Sequence, residues 1–241
     1  MGGHRVAAQA SLVVGQPARR APTCDVEGIY MSDERRGGKG DARIRYVALG
    51  DSYTIGTSVE RGERFPELLT RVEPRLELVA NLGVNGYTSA DLIRDELPAL
   101  AGLAPGFVTL LIGVNDVVQA IPAGTYAANL IEIFDVLLAA VPTDRLVAVS
   151  IPDYTVTPAG ADYGDPAQKR TAIIAANRVM AELCGERGVA LVDIFDLSSR
   201  AAVERDLIAN DGLHPSGRQY GLWVERIAPV AARLLDDQAV A

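Results

Sequence analysis

Residues 43–54 read Arg-Ile-Arg-Tyr-Val-Ala-Leu-Gly-Asp-Ser-Tyr-Thr. From Arg43 to Leu49 the apolar residues crowd toward the C-terminal end, as in a strand that becomes buried along its length. Gly50-Asp51-Ser52-Tyr53-Thr54 then interrupts the run with a polar, glycine-containing loop that leads into a helix. In an open α/β sheet, ligands bind outside the carboxyl ends of the strands, so Ser52 falls on the chemically useful edge. The same residues also suit a Ser/Asp turn that closes a strand and caps the next helix. Other stretches of the chain decide between the two.

From Arg43 onward, strand and helix patterns alternate. Short apolar runs rich in β-branched residues occur at 43–50, 76–81, 107–112, 145–151 and 189–194, as expected of strands buried on both faces. Helical patterns lie between them: Phe65 to Arg71, Thr88 to Leu97 opening on Thr88-Ser89 as caps, Tyr126 to Val141, Pro166 to Arg187 ending at Gly188, and Ser216 to Leu235. The alternation predicts one α/β domain over 43–241, a three-layer α/β/α sandwich on a five-stranded parallel sheet. The connection from Pro152 to Asp165 reads as structureless, and loops of that length in compact domains tend to be functional. Residues 1–42 hold six Arg/Lys, five Asp/Glu and several Gly and Pro without periodicity, which predicts a disordered tail. Met31 in that tail is a candidate alternative start.

The chain has 241 residues, 49% of them hydrophobic, enough for one large core. A net charge of -8 argues against a nucleic-acid surface or a polybasic membrane patch. No uninterrupted apolar run approaches the roughly 18–20 residues of a spanning helix, and the N-terminus matches a signal peptide poorly. Two cysteines, Cys24 and Cys184, in unrelated contexts suit a reduced compartment better than a disulfide framework, so a cytoplasmic protein is expected.

Four loops carry unusual polar residues: Ser52 after the first strand, Asn81-Leu82-Gly83-Val84-Asn85-Gly86-Tyr87-Thr88 after the second, Gly113-Val114-Asn115-Asp116 after the third, and Asp211-Gly212-Leu213-His214-Pro215-Ser216 before the last helix. Acyl transfer needs a serine, a base to take its proton, an acid to orient that base, and donors for the oxyanion. Only two histidines exist, His4 in the tail and His214, so histidine catalysis would fall to His214. Asp211, three residues earlier on a turn, is placed to curl back to the imidazole. The backbone N–H groups of Ser52 and Gly83 and the side-chain amide of Asn115 are candidate oxyanion donors. Asp193 at the end of the fifth strand is a rival acid, read instead as pinning its own turn. Asp51, Asp116, Asn81 and Asn85 read as residues that hold their loops through hydrogen bonds, Gly86 as a turn glycine, and Tyr87 and Tyr154 as loop aromatics near an acyl pocket.

These four blocks resemble the SGNH hydrolases, also called GDSL esterases and lipases. Ser52 matches the serine of the Gly-Asp-Ser block, Gly83 the glycine, Asn115 the asparagine of Gly-x-Asn-Asp, and Asp211 with His214 the Asp-x-x-His block. Tyr53 departs from the leucine of the name-giving motif. The resemblance covers Arg43 to the C-terminal helix and implies a flavodoxin-like fold, an open site at the strand ends, no metal and no cofactor. It implies a serine ester hydrolase acting through an acyl-enzyme. A single tryptophan, Trp223, only 5% aromatic residues and no lid helix or long apolar insertion lean toward small or short-chain esters, a small-molecule partner with no nucleic acid or membrane span; the sequence does not indicate an oligomeric state. Acyl transfer, sugar deacetylation and lysophospholipid hydrolysis use the same residues. An α/β-hydrolase elbow fails because Thr54 replaces its second glycine, and a Rossmann site fails for want of Gly-x-Gly-x-x-Gly. A flavodoxin-like module holding phosphate on Ser52 and Thr54 leaves Asn115, Asp211 and His214 unexplained.

Overall fold

In the computed structural model, residues 43–236 are described; the expected tail, Cys24 and Met31 lie outside them. Five strands, β1 (Ile44–Gly50), β2 (Leu76–Asn81), β3 (Phe107–Leu111), β4 (Leu146–Val149) and β5 (Ala190–Val192), form one sheet. All neighbours are parallel and the order is β2-β1-β3-β4-β5, the flavodoxin-like order. Every residue of β3 and β4 is buried, because parallel strands with crossover helices on both sides leave no face to solvent.

The helices are α1 (Ser52–Ile55), α2 (Phe65–Val72), α3 (Ser89–Asp91), α4 (Leu97–Leu103), α5 (Val114–Val118), α6 (Ala123–Ala140), α7 (Pro166–Arg187), α8 (Phe195–Ser199) and α9 (Gly217–Asp236). Helices α2 and α9 pack together, while α4, α6 and α7 pack side by side as a second layer. Helix α6 buries Tyr126, Leu130, Ile133, Phe134 and Leu137, one stripe at helical spacing. By length and composition alone α6 is apolar enough to cross a membrane. It carries Glu132 and Asp135 on its other side and serves here as a sheet-covering helix. It begins at Ala123, one turn before the expected Tyr126, because its first turn, Ala-Gly-Thr, has no apolar face to read.

The helix expected over 88–97 is more complex. Thr88 caps α3 by accepting from the Asp91 N–H, and the Asp91 carboxylate accepts from Thr88 in return, a reciprocal capping box. A π turn, Leu92–Glu96, follows, and then α4 continues to Leu103. Pro98 has no N–H to offer and crowds the carbonyl four residues back, so the chain accommodates it directly after the widened turn. The extra residue of a π turn re-phases a helix, and Glu96 at its end is only 3% exposed. The connection 152–165 contains two 3₁₀ turns, Tyr154–Val156 and Gly160–Tyr163. Strands β4 and β5 stop short of their expected ends, where Ser150 and Asp193 side chains take over the bonding.

Candidate active site

The strand order reverses beside β1, and the loops after β1 and β3 diverge from that point. The β1 loop opens α1, where Asp51 Oδ1 accepts the Tyr53 N–H at 2.9 Å and fixes Ser52 at the first helical position. The β3 loop opens α5, which presents Asn115. Asn115 Nδ2 donates to the Tyr87 carbonyl at 2.9 Å, which orients the amide while leaving it a second hydrogen. Ser52, Asn115 and His214 line one cavity of about 240 Å³, together with Asn85 and Gly86. Its apolar walls are Tyr53, Val114, Val118, Tyr154, Tyr163 and Leu213.

His214 arrives from the far end of the chain. After β5 the chain crosses back through α8 and short 3₁₀ turns, and Ile208 and Pro215 form an isolated antiparallel bridge. The Ala209 N–H donates to the His214 carbonyl at 2.8 Å, and Gln219 Nε2 holds the Leu207 carbonyl at 2.9 Å. Within this loop Asp211 does curl back: its Oδ2 lies 2.6 Å from His214 Nδ1, and its Oδ1 accepts the Leu213 and His214 N–H groups at 2.9 and 3.0 Å. Oδ2 also accepts the Ser58 hydroxyl at 2.6 Å. Partial burial pushes the Asp211 carboxyl up, but the Ser58, Leu213 and His214 donors outweigh it and hold the group well below the usual carboxylate range. Asp193, the rival acid, accepts from Ser150 Oγ and the Phe195 N–H, and so pins its own turn.

One expected residue, Gly83, stands apart from the cavity. Its N–H donates to Asn81 Oδ1 at 3.2 Å. A Cβ there would sit 2.7 Å from the Ile55 nitrogen and 2.8 Å from the Asp51 carbonyl oxygen. Gly83 is therefore glycine because the backbone of the Ser52 turn presses against it. Gly86, with φ +81, is the glycine on the cavity wall, and nothing among the described residues accepts from its N–H. The two glycines are three residues apart in one loop, and spacing alone did not separate their jobs. Tyr154 lines the cavity; Tyr87 instead donates to Asp95.

Buried carboxyl groups underlie the Ser52 turn. Asp51 is fully buried and Asp116 nearly so; Asp116 accepts both the N–H and the hydroxyl of Ser89, at 2.9 and 2.5 Å. Glu96, which the sequence reading passed over, accepts the Gly50 N–H at 2.9 Å. Nothing in a lone acidic residue of an amphipathic pattern marks it as inward-facing; the π turn does that. Burial pushes the Asp51 carboxyl up to about 7, opposed by the Tyr53 N–H and reinforced by the Asp116 charge. Burial likewise raises Glu96 and Asp116. Among the described residues no group of three or more His, Cys, Asp and Glu side chains is placed to hold a metal ion.

Two outcomes follow from this geometry. Gly83→Ala should displace the Ser52 turn, lowering stability by about 1–3 kcal/mol in urea unfolding through overpacking. A raised folded-state carboxyl favours the folded state below its unfolded value, near 3.9, and loses that contribution as pH climbs toward about 7 for Asp51. Unfolding midpoints of the wild type should therefore fall between pH 5 and pH 7.5 more steeply than those of Asp51→Asn, whose isosteric amide still accepts from Tyr53. Equal slopes would show that the Asp51 carboxyl is ionised throughout.

Among known proteins, residues 48–222 match the GDSL-like lipase/acylhydrolase family. A search of curated proteins finds no match. Solved structures give likenesses at low identity. One is a member of the lipolytic protein G-D-S-L family from Veillonella parvula, 16% identical, with 78% of this chain and 98% of that chain covered and a TM-score of 0.66. Another is the psychrotrophic esterase EstA from a Pseudoalteromonas species, 20% identical over 80% of this chain and 98% of that one, TM-score 0.61. A third is an acetylxylan esterase from Geobacillus stearothermophilus, 21% identical over 79% and 93%, TM-score 0.58. These structures share the fold, and the family match spans well over half the sequence. The chain belongs to the GDSL-like lipase/acylhydrolase family, the SGNH hydrolases.

Proposed function

We propose that the protein is a serine ester hydrolase in which Ser52, His214 and Asp211 form the catalytic triad. The observation that carries this reading is the short Asp211 Oδ2–His214 Nδ1 contact at 2.6 Å on a cavity that Ser52 and Asn115 also line. A depressed carboxylate facing Nδ1 puts the ring proton on that nitrogen, which leaves Nε2 as the unprotonated base. Ser52 Oγ attacks the ester carbonyl carbon as its proton passes to His214 Nε2. The C–O bond to the alcohol breaks, and the imidazolium returns the proton to the leaving oxygen. Water, deprotonated by His214, then releases the acid from the acyl-enzyme.

The oxyanion needs donors fixed before the reaction. The Ser52 N–H, the Gly86 N–H and the second hydrogen of Asn115 Nδ2 supply them; Gly86 takes the place expected of Gly83. A cavity of about 240 Å³ lined by Tyr53, Val114 and Val118 favours a short acyl group. The fold likeness to an esterase and to an acetylxylan esterase is consistent with small esters, including acetyl groups on sugars.

Ser52→Ala and His214→Ala should each lose roughly 10⁶ in kcat on p-nitrophenyl acetate, and Asn115→Ala about 10²–10³ with the fold intact by circular dichroism. Near-wild-type turnover by Ser52→Ala would sink the assignment. Across p-nitrophenyl esters of rising acyl length, kcat/KM should peak at the short end and drop once the chain outgrows the cavity. A rise toward long chains would turn the reading toward a lipase.

A further inference from the structure

Thr57 and Ser58 leave the Ser52 turn and reach to opposite sides of the site. Thr57 Oγ1 donates to Asn85 Oδ1 at 2.5 Å, on the loop whose next residue is Gly86. Ser58 Oγ donates to Asp211 Oδ2 at 2.6 Å, on the loop that carries His214. The Thr57 N–H is itself bonded to the Ser52 carbonyl at 3.1 Å, which anchors Thr57 to the residue read as the nucleophile, with Ser58 next in the chain. From this we infer that Thr57 and Ser58 are positioning residues, a two-sided hydroxyl clamp that sets the Gly86 loop and the Asp211–His214 pair at fixed distances from Ser52. The inference rests on the serine-hydrolase reading above.

The backbone is the first support. Ser58 has φ +67, a left-handed conformation that serine adopts at a cost and that folds keep where it serves a purpose. Ser58 is exposed, so core packing does not demand it. What the conformation achieves is to aim two successive hydroxyls at loops on either side.

The second support is the bonding of Asp211. Three of its four donors, the Leu213 N–H, the His214 N–H and His214 Nδ1, come from its own turn. Ser58 comes from 153 residues away in sequence. Among the described residues it makes the only hydrogen bond joining residues 51–60 to residues 209–216. The Tyr53 ring also meets the His214 ring, with centroids 5.7 Å apart. A ring contact is tolerant of sliding, whereas a hydroxyl bonded to a carboxylate fixes distance and angle.

The third support is scale. A hydroxyl bond made at the surface contributes little net stability, yet a misplacement of about 1 Å between reacting groups can cost 10²-fold in rate. A clamp at this place therefore acts on turnover far more than on folding.

The test compares Ser58→Gly, Thr57→Val and Thr57→Ser in the full chain, by p-nitrophenyl acetate kinetics and thermal unfolding, with Ser52→Ala alongside. Glycine adopts φ +67 without strain, so Ser58→Gly should unfold at or above the wild-type temperature. Its kcat should nevertheless fall roughly 10-fold or more, with KM changed by no more than about twofold. Thr57→Val should lose kcat in the same way, while Thr57→Ser, which keeps the donor, should stay close to wild type. A Ser58→Gly enzyme with unchanged kcat overturns the clamp, and so does a loss shared equally by Thr57→Ser and Thr57→Val. If Ser58→Gly does not fold, the two Thr57 variants decide alone. An inactive Ser52→Ala beside an unaffected Ser58→Gly removes only the clamp; an active Ser52→Ala removes the hydrolase reading itself.

Discussion

Strand order dictates where this protein can do chemistry. The connection from β1 leads to β2 on one side, whereas later connections step through β3, β4 and β5 on the other. Crossovers in parallel sheets are right-handed, so the reversal sends α2 to one face and α4, α6 and α7 to the other. The loops after β1 and β3 then part above adjacent strands, paired as far as Gly50 and Leu111. That parting opens the crevice from which Ser52 and Asn115 project. His214 reaches it only because the chain returns after β5 and α9 packs against α2.

A crevice at strand ends leaves backbone N–H groups with no ladder or helix partner, and an orphaned buried donor costs about 1–3 kcal/mol. Here carboxyl groups meet that need: Glu96 for Gly50, Asp51 for Tyr53, Asp116 for Ser89. Burying several like charges so close together would be costlier than the orphans, and burial raises all three groups toward their neutral forms. A neutral carboxyl still accepts through its carbonyl oxygen. Asp211 shows the opposite solution, since at the cavity rim four donors converge on it and keep it charged. One type of side chain thus scaffolds the floor and serves the rim, separated by how many donors each oxygen meets.

The architecture was legible because buried parallel strands are short continuous apolar runs, and all five stood out in the sequence. That Ser52, Asn115 and His214 would meet at one cavity, with Asp211 bonded to His214, was legible because each follows a strand end or turn. Glu96 was hidden by the π turn, which changes the phase on which a helical reading depends. The sequence does not separate the two glycines of one loop, Gly83 making room for the Ser52 turn and Gly86 facing the cavity. Ser58 was invisible for a similar reason: its part depends on a φ that serine seldom adopts and on a partner distant in sequence. Local patterns report on local constraints. Contacts across loops are read only once the fold has brought the loops together.

Tyr53 ties these levels together. In place of the leucine of the family motif, its ring lies between the His214 imidazole and the indole of Trp223, 5.7 and 6.2 Å away. Trp223 packs in turn on Tyr220 and Phe65, and Tyr220 Oη donates to the Tyr53 carbonyl at 3.0 Å. A continuous aromatic column therefore runs from the interface of α2 and α9 to the imidazole. Leucine would fill the space beside His214 but would offer no ring for the tilted contact, at 59° between planes, that Tyr53 makes with the imidazole. Tilted aromatic pairs at these separations contribute about 0.5–1.5 kcal/mol beyond their buried area, enough to bias the imidazole toward one rotamer without locking it. The Tyr53 ring packs against the imidazole on one side, and the Asp211 carboxylate holds its Nδ1 at 2.6 Å. The imidazole is thereby held from two directions, by a ring and by a carboxylate.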